Sequence, residues 1–144
     1  MTTMYEHVGG EPAIRRFAEH FHGTVLRDAL LEPLFAHGSG HHVDHLTAFF
    51  VEMLGGSRGY SDKAGGFGAL MLAHLGRNIS DEQGERFVAL LLAAADATGL
   101  PPDERFREAL AANVRKAAGF SVKISRSDTP PYRPPYPELS PWQW

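Results

Sequence analysis

Apolar residues recur three and four positions apart along most of the first 120 residues, the period of helices that bury one face. The chain enters through Gly9-Gly10 and Glu11-Pro12, a loop leading into a helix with proline near its first turn. That helix carries Ile14, Phe17, Phe21 and Val25 on one stripe. Pro33 breaks the region, and Leu30, Leu31, Leu34 and Phe35 are expected to form a short buried turn. A polar corner, His37-Gly38-Ser39-Gly40, precedes a helix striped by Val43, Leu46, Phe50 and Met53, with Phe49 alongside. Gly55-Gly56 is expected to stop it by supplying positive φ.

From Ser57 to about Gly68 the chain is glycine-rich and aperiodic, and predicts a loop. A short apolar segment, Ala69 to Leu75, follows and contains His74. Ser80-Asp81-Glu82-Gln83 matches a capping box and opens a helix with Phe87, Leu90, Leu91 and Ala94 on one face, closed by Gly99. Pro101-Pro102 opens the last helix, whose stripe is Phe106, Leu110, Val114 and Ala117. No run alternates as a strand does, so the fold class is all-α.

The character changes after Ile124. Residues 125–144 hold both tryptophans, two tyrosines and six prolines, a composition that excludes a regular helix and favours polyproline II or disorder. The division is therefore a helical domain over 1–124 and a Pro/aromatic-rich extension over 125–144. The extension is open to three roles: docking on its own domain, docking in a partner's aromatic groove, or hanging free as an inert tail.

Composition narrows the chemistry. At 144 residues, 43% hydrophobic and 22% charged, the chain is one ordinary globular domain whose core is large enough for one small cofactor. A net charge of −3 gives no basic surface for nucleic acid or anionic membrane. There is no cysteine, which removes disulfides, Cys-zinc sites, iron–sulfur clusters and a cysteine nucleophile. The N-terminus MTTMYEHVGGEP has no basic region followed by an apolar run, and the most apolar stretch, Phe87 to Ala97, is too short to span a bilayer. The expectation is a cytoplasmic chain.

Histidine is the compositional oddity: eight in all, and only His74 lies beyond residue 45. His7 and His20 have polar neighbours and suit surface roles. His41 and His45 are i, i+4 neighbours, which fits either a solvated helix start or a two-ligand metal clip. His42, four residues before Leu46, lies on the edge of the apolar stripe. His74 is set among Leu70, Met71, Leu72 and Leu75, where an imidazole needs a partner. A heme iron is one such partner and a backbone carbonyl is another.

Taken in order, YEHVGGEPAIRRF at 5–17, EPLF at 32–35, FFVEMLGG at 49–56, Arg58-Gly59-Tyr60-Ser61 and LMLAHLGRNIS at 70–80 resemble the truncated hemoglobins, especially their second group. The resemblance covers residues 4–120 and implies a two-over-two helical globin around heme b. It implies His74 as the proximal iron ligand, Leu70 and Met71 as heme-pocket residues on the same segment, and Phe35 and Phe49 as aromatics that pack the porphyrin. It places His22 at a distal position usually held by tyrosine, and Phe87 at one usually held by tryptophan. The resemblance places His42 at the distal position facing the ligand, with Leu46 one turn beyond; His22 and His42 can both donate, and either is a second candidate iron ligand. Tyr60 is implied to reach a propionate. The usual basic residues are partly replaced, leaving Arg58, Arg77 or His45 to face the propionates.

The function implied is binding of O₂, NO or CO at a His-ligated iron, with oxygen transport among its uses. Two alternatives accompany it. One is nitric oxide dioxygenase or peroxidase-like turnover with a separate reductase, since the chain has no flavin or nicotinamide motif. The other is a bis-histidyl heme for electron transfer or sensing. Neither nucleic acid nor membrane is expected as a partner, and the assembly is expected to be a monomer or homodimer.

Overall fold

The computed structural model describes residues 2–35 and 41–144, so the corner at 37–40 lies outside the described residues. Its elements are α1 (Met4–Val8), α2 (Glu11–Leu26), α3 (Glu32–Phe35), α4 (His42–Met53), α5 (Gly59–Lys63), α6 (Gly66–His74), α7 (Asp81–Ala97) and α8 (Glu104–Ser125). No strand occurs among the described residues. Helix α2 packs on α4 and α7, and α7 pairs with α8, which builds two antiparallel-type helix pairs laid one over the other.

Local chemistry fixes the ends of these helices. The Ser80/Gln83 capping box forms at the start of α7 as the sequence predicts. A second capping box, Thr3 with Glu6, starts the short helix α1 inside what the sequence presents as an entry loop. Asp103 caps α8 through its carboxylate, which accepts from Phe106 N–H at 3.1 Å, so Pro101-Pro102 stands just outside the helix it was expected to open. Gly99 closes α7 with φ of +72°.

The double glycine after α4 does two different things. Gly55 has φ of +99° and turns the chain. Gly56 does not have positive φ; it is required by space, because a Cβ there would lie 2.7 Å from the Tyr5 ring and 2.8 Å from Val51. The glycine-rich stretch expected to be a loop contains α5, positioned by a buried carboxylate: Glu52, 1% exposed, accepts from Ser61 N–H at 2.8 Å and from the Ser61 hydroxyl.

The core is aromatic and aliphatic. Phe17, Phe21 and Phe106 are no more than 2% exposed, and burying each such side chain contributes roughly 1.5–3 kcal/mol. Phe106, Leu110 and Val114 keep the predicted stripe of α8, but Ala118 rather than Ala117 completes it; Ala117 is half-buried. Residues 126–144 have no helix, yet they lie against the domain. Tyr132 meets Phe67 edge-on at 5.1 Å, Trp142 N–H donates to Met53 C=O at 2.7 Å, and the Trp144 ring is 4.9 Å from His7. No helix among the described residues is long and apolar enough to cross a membrane.

Candidate functional site

Between the two helix pairs lies a cavity of about 280 Å³ with a predominantly apolar lining. Each surrounding element contributes to it. Helix α3 supplies Phe35; α4 supplies His42, His45, Leu46 and Phe49; α5 supplies Tyr60. Helix α6 adds Leu70 and His74, Arg77 follows it, and α7 adds Phe87. Of the residues singled out in the sequence, ten therefore converge on one space although α3 and α7 are far apart along the chain.

His74 is held by its own helix. Its Nδ1 donates to the Leu70 carbonyl at 2.8 Å, one turn earlier, which leaves Nε2 without a partner among the described residues on a side chain that lines the cavity. Both partners considered for this residue are thus compatible, one on each nitrogen. Burial lowers the His74 pKa; the Leu70 carbonyl opposes that shift and nearby Arg77 adds to it. Burial therefore favours the neutral imidazole, with one nitrogen tied to the backbone, the form in which histidine ligates a metal ion.

His42 also lines the cavity, and burial likewise lowers its pKa, with smaller contributions from His22, His45 and Arg77. His22 does not line the cavity. It stands behind His42, its Nε2 3.4 Å from His42 Nδ1, and both rings meet the Phe35 ring edge-on at 6.2 and 5.4 Å. Phe87 meets Phe21 edge-on at 5.0 Å and presents no polar atom to the space.

Two further candidates fall outside the lining. Met71 is buried in the core at 1% exposure, and Arg58 is an exposed residue at the N-terminus of α5. Among the cations considered for the mouth, Arg77 and His45 line the cavity and Arg58 does not. Arg77 is steadied by donation from Nε to the Ala73 carbonyl at 2.6 Å. Tyr60 is buried, and its phenol pKa is raised by that burial and then by the Glu52 carboxylate. His41 and His45 are exposed at the start of α4, with ring centroids 6.3 Å apart. Among the described residues, no three His, Asp or Glu are grouped to hold a metal ion.

The sequence gives no site role to Trp142, Gln83 or Ser121, all of which reach the cavity. Gln83 and Ser121 sit on the predicted inward sides of α7 and α8, where helical spacing could have found them. Trp142 had no local signal at all.

Two crossed helix pairs around an apolar cavity with one free imidazole nitrogen define a globin. The chain belongs to the bacterial-like globin family, whose pattern matches residues 3–119. Its fold is similar to that of the hemoglobin from the thermophilic phototrophic bacterium Chloroflexus aurantiacus, with a TM-score of 0.75 and 29% identity over 84% of this chain and 98% of that one. The group II truncated hemoglobin from Bacillus anthracis has the same fold, with a TM-score of 0.76 at 24% identity over 85% of this chain and 92% of that one. In sequence, the chain is 33% identical over 64 residues to the group 1 truncated hemoglobin GlbN of Nostoc sp. (strain MUN 8820), 44% of this chain and 54% of that protein. The match thus spans about half the length of that curated relative. The protein is a truncated hemoglobin of group II-like fold, and the cofactor of this class is heme b. The residues present fit that group: an apolar slot, an imidazole with a free Nε2, and two basic side chains in the lining.

Proposed function

We propose that this protein binds heme through His74 and uses it to bind O₂ and related diatomic ligands. The observation that carries this reading is the His74 geometry: Nδ1 is satisfied by Leu70 C=O, Nε2 has no partner among the described residues, and the side chain lines an apolar cavity. Heme, held by His74, would supply an iron centre able to take a diatomic ligand.

The chain's own residues do the rest. Phe35, Leu46, Phe49 and Phe87 exclude water from the pocket and supply its apolar walls. Arg77 and His45, the basic side chains of the lining, would hold the propionates. His42 is the polar side chain offered to the ligand. His22 orients it: with His22 Nε2–H donating to His42 Nδ1, the His42 proton resides on Nε2, a donor for a partly negative ligand atom. A neutral donor of this kind contributes about 1 kcal/mol, and more as charge develops on the acceptor. Phe87 offers no donor, so the ligand is held by fewer hydrogen bonds than a distal tyrosine and tryptophan would provide.

A second reading draws on the same pair. His42 and His74 line one cavity and burial favours the neutral form of both, which is the form that ligates iron. Closure of His42 onto iron would give a redox or sensor protein. The unliganded ferric absorption spectrum separates the two, with six-coordinate low-spin bands marking closure and high-spin bands an open site. Nitric oxide or peroxide turnover would use the same pocket and requires an external reductant.

The test is a hemin titration of the apoprotein. One equivalent should produce a saturating Soret band in the wild type; His74→Gly should lose it and regain it with added imidazole. A wild type that takes up no hemin ends this reading.

A further inference from the structure

The Pro-rich segment 126–144 lies beyond the residues that match the globin family, yet one of its side chains enters the cavity lining. Trp142 meets Phe49 edge-on at 6.1 Å and Phe50 at 6.0 Å, on the helix that also carries His42. Its backbone N–H donates to Met53 C=O at 2.7 Å, at the C-terminal end of α4, where carbonyls lack an intrahelical partner. The indole thus stands against Phe49 from outside the helix pairs and closes the wall between α4 and α8.

The segment is fastened on both sides of Trp142. Before it, Tyr132 and Tyr136 pack on Phe67 of α6 at 5.1 and 6.3 Å, and the Tyr136 ring occupies the space a Cβ at Gly68 would need. After it, the Gln143 carbonyl accepts from the Asn113 amide at 3.3 Å, and the Trp144 carbonyl accepts from Arg105 at 3.0 Å. The Arg105 guanidinium also lies 4.3 Å from the centroid of the Trp144 ring. Four prolines between Tyr132 and Gln143 restrict φ in the unfolded chain, which lowers the entropy lost when the segment is laid down.

We propose that residues 126–144 form a strap over the heme pocket and that Trp142 is a heme-contacting wall residue, supplied from outside the globin domain, that slows loss of the cofactor. The inference rests on the heme reading above. Trp144 anchors the strap without reaching the cavity, so the two tryptophans separate wall from anchor.

The test is the rate of hemin transfer from the full-length holoprotein to excess apomyoglobin. Removing a large aromatic wall exposes apolar surface of the cofactor, so Trp142→Ala should release hemin about tenfold faster, with Trp142→Phe restoring most of the difference. Trp144→Ala should change the rate by less than about threefold, because only an anchor is lost. Equal rates in Trp142→Ala and wild type, with a Soret band in both, would overturn the strap while leaving the heme reading intact. No Soret band in the wild type would overturn both. If Trp142→Ala does not fold, the wild-type ferric cyanide complex decides: a nuclear Overhauser effect between the indole protons and a heme methyl supports the contact, and its absence refutes it.

Discussion

His22 stands 3.4 Å from His42, Nε2 to Nδ1, with the rings inclined at 64°, and only His42 of the two reaches the cavity. On the proposed reading, the pair would divide a distal role between a side chain that meets the ligand and one that holds it. This arrangement makes the two residues unequal in a measurable way.

Replacing His42 removes the donor itself, so His42→Ala should raise the O₂ dissociation rate roughly fivefold, the equivalent of one hydrogen bond at about 1 kcal/mol. His22→Ala acts only through the orientation of His42 and should cost less. In the double variant the effects should not add, because the role of His22 vanishes once His42 is gone. Stopped-flow ligand replacement measures all four rates, and additive effects would show that His22 acts on its own.

The turn between α2 and α3 is tied to α7 by one carboxylate. Asp28 accepts from Leu30 and Leu31 N–H at 3.0 and 3.2 Å and from Arg86 Nε at 2.7 Å. The Arg86 contact is the main reason its pKa lies below the ordinary carboxylate value, with the two backbone donors adding to it against desolvation. A depressed folded pKa contributes stability above the unfolded value, near 3.9, and loses it as pH falls through the folded one. Asp28→Asn should therefore be less stable than wild type at neutral pH, and the gap should narrow as pH drops below about 4. Urea melts of the apoprotein at several pH values check this; a gap that is constant with pH would contradict it.

Gly56 is required by contact. A methyl at this position would meet the Tyr5 ring and Val51 at under 3 Å, and such overpacking costs about 1–3 kcal/mol. Gly56→Ala should lower the thermal midpoint of unfolding, and Gly56→Ala with Val51→Ala should recover part of the loss. A Gly56→Ala midpoint equal to wild type would refute the close approach of α1 to α4.

Much of this was legible in the chain. The Ser80/Gln83 cap, the α2 and α8 stripes and the apolar setting of His74 are all local patterns, and local patterns are what helical periodicity records. The Thr3/Glu6 cap was equally local, but the helix it starts is five residues long and carries no stripe. Helix α5 was hidden for a different reason: it is a single turn rich in polar residues, held by a buried carboxylate on α4 rather than by its own pattern. The ordering of the distal pair was also hidden. Sequence placed His22 and His42 as equivalent candidates, and only the crossing of α2 and α4 sets one behind the other. Trp142 joins the cavity from the far end of the chain, a tertiary contact that no spacing rule encodes.

Ligation of iron by His74 is read from the iron–histidine stretching band in the resonance Raman spectrum of the ferrous, ligand-free protein. The band should shift when histidine is labelled with ¹⁵N. In His74→Gly reconstituted with imidazole, it should follow the isotope of the added imidazole instead. A band in His74→Gly that still follows labelled histidine would contradict the assignment.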